Sequence, residues 1–207
     1  MKNRTRFERI LPPGYREVYR LDATTSKIGL LFNLIGLAMM VAVFVVGCIP
    51  IWMRGEKIFL HYGILLLPAI LLGALITIPY MVLHELVHGF AYRALTGEKL
   101  KFGITRSCAF CGVPHVYTYR RTASVAVILP FLIFSILLIC MTVVFFFTSS
   151  FLYFVFLTVF CCHFGGCCGD LYVFLLLHLK FRSRELLMQD TGPAQTFYLP
   201  ENEKIDF

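Results

Sequence analysis

The chain has 207 residues, of which 58% are hydrophobic and only 15% charged, with a mean hydropathy of +0.77 and a formal net charge of +7. These values exclude an ordinary soluble domain and place the chain in a bilayer. The excess positive charge reads as membrane topology and contact with anionic lipid, not as nucleic-acid binding.

Residues 1–26 form a basic N-terminal stretch. The apolar run behind it is too long for a signal-peptide core, and no small-x-small cleavage site follows, so the segment is expected to be retained. Four apolar segments then appear, at about Lys27–Trp52, Ile58–Leu83, Ala123–Phe147 and Phe151–Leu179, each meeting the roughly 20 residues that span hydrocarbon. Thr25 and Ser26 are suited to cap the first, Met53–Lys57 makes a polar turn into the second, and Thr148-Ser149-Ser150 joins the last two. Lys and Arg crowd the N-terminal stretch, the loop from Arg93 to Arg121 and the segment after Lys180, whereas the other two loops hold only Arg54 and Lys57. The positive-inside rule therefore puts both termini and the central loop in the cytoplasm of a multi-pass cell-membrane protein. The predicted fold is an all-α integral membrane protein in one domain over 1–207, with a four-helix core at 27–180 and a cytoplasmic tail at 181–207. Lys99–Ile104 and Val116–Tyr119 have the alternating or β-branched character of a short cytoplasmic hairpin between helices 2 and 3, whose edge could bind an extended substrate.

The second apolar segment continues past Leu83 to Ala94, about 55 Å of helix at 1.5 Å per residue, so its last turns must leave the membrane, with a bend expected near Pro79. There it carries His84-Glu85-Leu86-Val87-His88. On a helix the i, i+4 spacing stacks both imidazoles on one face, where they can share a zinc ion while Glu85 reaches a water on that ion. A catalytic zinc takes three protein ligands and keeps one position open. Asp170 is the leading third ligand: apart from Glu85 it is the one acidic residue inside any apolar segment, and an intramembrane carboxylate is costly unless paired or metal-bound. His163, two turns before Asp170, is the alternative. Gly165, Gly166 and Gly169 around them would let the fourth span approach another helix closely.

His84–Gly89, Lys101-Phe102-Gly103, Tyr117, Arg120-Arg121, Gly169-Asp170-Leu171-Tyr172 and Asp190-Thr191-Gly192 together resemble a zincin-peptidase family of bacterial membrane proteins of unknown function, over most of the chain from Ile58 onward. More distantly the design is similar to the site-2 intramembrane proteases, although the Asn-Pro and Leu-Asp-Gly signatures of that group are missing. The resemblance implies His84, His88 and Asp170 as zinc ligands and Glu85 as the catalytic base. Zinc would activate water and polarise a peptide carbonyl, and Glu85 would pass the water's proton to the leaving amine.

The function expected is therefore that of a zinc metalloprotease acting on a peptide or membrane-protein substrate near the cytoplasmic membrane face. Its rival is a membrane protein that binds metal for sensing, transport or structure without catalysis. Cys108, Cys111 and His115 look like half a zinc site with no second pair nearby, and Cys140, Cys161, Cys162, Cys167 and Cys168 lie in apolar runs as free thiols. His61 and His178 are expected near the ends of their spans.

Overall fold

The structure is a computed structural model that describes residues 6–105 and 109–203. In chain order it has strands β1 (Phe7–Glu8) and β2 (Tyr15–Asp22), helices α1 (Ser26–Met53) and α2 (Ile58–Thr96), and strands β3 (Lys101–Ile104), β4 (Ala109–Gly112) and β5 (Tyr117–Tyr119). Helices α3 (Arg120–Thr148), α4 (Ser150–Gly166) and α5 (Cys168–Leu175) follow, then a π-helical turn at Leu176–Lys180 and strands β6 (Leu187–Asp190) and β7 (Ala194–Pro200). Three helices are long and apolar enough to cross a membrane, and a fourth crossing is available if the bent pair after Ser149 counts as one. Helix α2 runs for 39 residues through Pro68 and Pro79 as one element. The fourth segment is broken: α4 ends at Gly166 with Cys167 as its cap, and the helix pair there is bent by 43°. Gly165, Gly166 and Gly169 surround this break, and glycine is the weakest ordinary helix former.

The strands correct the all-α expectation. β1, β5, β6, β7 and β2 form, in that order, an antiparallel sheet that draws on the basic N-terminal stretch and on the tail after Lys180. The tail is thus ordered strand, with Leu187, Met188 and Phe197 fully buried. The expected hairpin also pairs differently. Lys101–Ile104 forms a two-stranded ribbon with Ala109–Gly112. Tyr117–Tyr119 lies inside the larger sheet, where Thr118 is fully buried and its hydroxyl donates to the Met188 carbonyl at 3.0 Å. A β-branched, buried strand gains more from two neighbours than from the edge of a ribbon, so its own edge is not free for a substrate.

The chain divides into two compact units. One comprises the residues up to Leu31, Leu83–Pro130 and those from Gly169 onward; it holds both sheets, the last turns of α2, the start of α3, and α5. The other comprises Phe32–Val82 and Phe131–Cys168, with α4 at its centre. There Ser149 caps α4 by accepting from the Leu152 N–H at 3.4 Å, and Tyr153, Phe154 and Leu157 are sealed in the core. Gly36 of α1 and Gly165 of α4 face each other so closely that a Cβ on either would lie 2.7 Å from the other's carbonyl oxygen, the small-residue contact expected of Gly165.

Candidate metal centre

The last turns of α2 present His84, His88 and Tyr92 as a stripe, because residues four apart on a helix share a face. Each is held by a different element. His84 Nε2 lies 3.1 Å and His88 Nε2 3.4 Å from the same carboxylate oxygen, Oδ2 of Asp170 in α5. His88 donates its Nδ1–H to the Ala126 carbonyl of α3 at 2.8 Å, which fixes the tautomer and leaves the Nε2 lone pair facing Asp170. The Tyr92 hydroxyl donates to Oδ2 of Asp190 in β6 at 2.6 Å.

Ligand type and spacing both suit zinc. Nitrogen and oxygen ligands at about 2.0–2.2 Å in a tetrahedron lie about 3.3–3.5 Å apart, close to the separations between the two imidazoles and the Asp170 oxygen. Both histidines are buried, while the Asp170 side chain keeps 26% of its surface accessible, so the cluster has an open side. Glu85 brings a carboxylate oxygen within 4.8 Å of a ring nitrogen of each histidine. Among the described residues its carboxylate makes no hydrogen bond or ion pair, which leaves it free to take a proton.

The flank of this helix segment that carries Glu85 also carries Gly89 one turn on, against which the β3–β4 ribbon packs. A Cβ there would stand 2.7 Å from the Phe102 ring, 3.0 Å from Leu100 and 3.3 Å from Cys111 Sγ. The glycine that follows the second histidine is therefore what lets the ribbon lie beside Glu85. Cys111 is buried and burial pushes its thiol up to about 12, whereas His115 is exposed and Cys108 lies outside the described residues.

His163, the alternative ligand, belongs to the other unit. It is fully buried, and both ring nitrogens are engaged: Nδ1 hydrogen-bonds the Tyr80 hydroxyl at 2.5 Å and Nε2 the Ser135 hydroxyl at 2.9 Å. His61 and His178 are exposed and each bonds the backbone carbonyl one turn back, at Lys57 and Phe174. Residue spacing alone assigns no role to Tyr92 or Asp190. Tyr92 is legible as the next residue of the His84–His88 stripe, and Asp190 stands in the Asp190-Thr191-Gly192 motif of the resemblance, which by itself does not show that the side chain is buried.

A family model described as "Putative zincin peptidase" matches residues 77–183, which include the His84–His88 motif and Asp170. No curated protein and no solved structure matches the chain.

Proposed function

The chain belongs to this zincin peptidase family, and from that premise we propose that it is a membrane-embedded, zinc-dependent metallopeptidase. The observation that carries the reading is the convergence of His84 and His88 on one oxygen of Asp170, with Glu85 beside them and unpaired. His84, His88 and Asp170 would hold the ion. Zinc, when bound there, supplies Lewis-acid polarisation of the scissile carbonyl and lowers the pKa of water. Glu85 accepts the proton of the attacking water and returns it to the leaving amine, so that water is added across the C–N bond as that bond breaks. The Ala126 carbonyl holds the His88 ring in its working tautomer throughout. The ribbon β3–β4, packed on Gly89, offers an extended peptide a strand edge next to Glu85. The substrate is a peptide or membrane protein reaching the site at the cytoplasmic face, the side to which the basic loops assign it.

The test is metal content by elemental analysis of detergent-purified wild type, Glu85→Gln, His88→Ala and Asp170→Ala, with hydrolysis of a mixed peptide library scored in parallel. Wild type and Glu85→Gln should hold about one zinc each, His88→Ala and Asp170→Ala should lose it, and Glu85→Gln should cut at least about 100-fold more slowly than wild type. Zinc retained by Asp170→Ala removes Asp170 from the ligand set. Wild type that binds no zinc ends the metallopeptidase reading.

A further inference from the structure

We propose that Asp190 is a positioning residue for the metal site: through Tyr92 it fixes the rotation of the helix that carries His84 and His88. The inference rests on the metal reading above. Successive members of the stripe His84, His88 and Tyr92 rise about 6 Å apart, and the intervening Gly89, Phe90 and Ala91 offer no polar side chain. Tyr92, 1% exposed, is therefore the first polar side chain after His88 by which the helix can be held. A metal site tolerates about 0.5 Å, or 10–20° of rotation, in its ligands before affinity falls.

Asp190 is itself held from several sides. Its Oδ1 accepts from the Gly192 N–H at 2.9 Å and from Gln195 Nε2 at 3.5 Å, and its carbonyl accepts from the Val113 N–H at 2.9 Å. Gly192, at φ +100°, provides the left-handed turn that brings its N–H back to the carboxylate. The hydrogen-bond partners of the side chain are a hydroxyl, a backbone N–H and an amide, none of them a cation. A buried carboxylate in such company costs stability that a neutral acceptor would not, which argues against a purely structural tie.

The experiment measures zinc affinity of the full chain by chelator competition, and the visible spectrum of its cobalt(II) form, for wild type, Asp190→Ala, Tyr92→Phe, the double variant, Asp190→Asn and Thr118→Val. Asp190→Ala and Tyr92→Phe should each lower zinc affinity about tenfold or more and shift the cobalt bands, with the double variant no worse than either. Asp190→Asn, whose amide oxygen still accepts from Tyr92, should recover most of the loss. Thr118→Val removes a buried sheet hydrogen bond that involves neither Tyr92 nor the Asp190 side chain; it should lower the melting temperature and leave zinc affinity unchanged. Should Asp190→Ala fail to fold, Tyr92→Phe carries the comparison. Wild-type affinity and spectrum in Tyr92→Phe, or an equal loss in Thr118→Val, overturns the proposal while the metal reading stands. Absence of zinc from wild type overturns both.

Discussion

A carboxyl group sealed among uncharged partners gives up its proton late, and Asp190 is such a group: burial raises it from 3.8 to about 6 against the opposing hydrogen bond from Tyr92. The folded chain therefore binds this proton more tightly than the unfolded chain does. Stability contributed by the group falls as pH rises from about 4 through about 6, and the cost, on the order of 3 kcal/mol, is fully present above that window. In metal-free protein the stability difference between Asp190→Asn and wild type should widen in favour of the variant between pH 4 and pH 7, measured by denaturant unfolding in detergent. A difference that stays constant with pH would sink the assignment. Chemistry of this kind is hard to read from a sequence. His84, Glu85 and His88 announce themselves by spacing, and Asp170 by being a charge in an apolar run. Asp190 belongs to a motif of the resemblance, but it is an acid among other polar residues and its burial is visible only in the fold.

Helices and strands differ in the same way. The apolar runs of α1, α2 and α3 are visible because a single helix satisfies its own backbone, so hydrophobicity over about 20 residues suffices to draw them. A strand needs a partner that sequence does not name. β2 pairs with β7 across the whole intervening chain, and β5 chooses β1 and β6 over the nearer ribbon. The break after α4 is not legible in the sequence, because Gly165, Gly166 and Gly169 suit a helix end as well as a close helix contact. Gly165 does serve that purpose, and a side chain there must displace the Gly36 carbonyl. Gly165→Leu should cost about 1–3 kcal/mol and lower the melting temperature in detergent by several degrees. Gly166→Ala, where nothing stands within 4 Å, should leave it nearly unchanged. Equal losses in the two variants would mean that glycine acts through helix flexibility and not through the close contact with α1.

For the molecule as a whole, the larger sheet constrains how any bilayer is threaded. β2, β5 and the pair β6–β7 are hydrogen-bonded together, so they lie on one side, and the chain must cross an even number of times between them. Helices α1 and α2, each long and apolar enough to cross, would provide two crossings before β5. Helix α3 would provide one before β6, and the bent pair α4–α5, counted as one span, would provide the other. A membrane topology that uses α1, α2 and α3 and keeps this sheet intact would thus have four crossings, not three. Cysteines introduced at positions 12 and 202 should label with an impermeant maleimide only after the cytoplasmic face is opened, and cysteines at positions 55 and 149 should label in intact cells. Labelling of positions 12 and 202 from opposite sides would break the sheet-based topology.

The long reach of one hydrogen bond also sets an order in time. Asp190 lies 98 positions after Tyr92, so at about 5–20 residues per second the ribosome releases the histidine helix about 5–20 s before the carboxylate that fastens it. Until then the Tyr92 hydroxyl lacks its Asp190 partner. The order of synthesis thus places the histidine helix first and its fastening to Asp190 later.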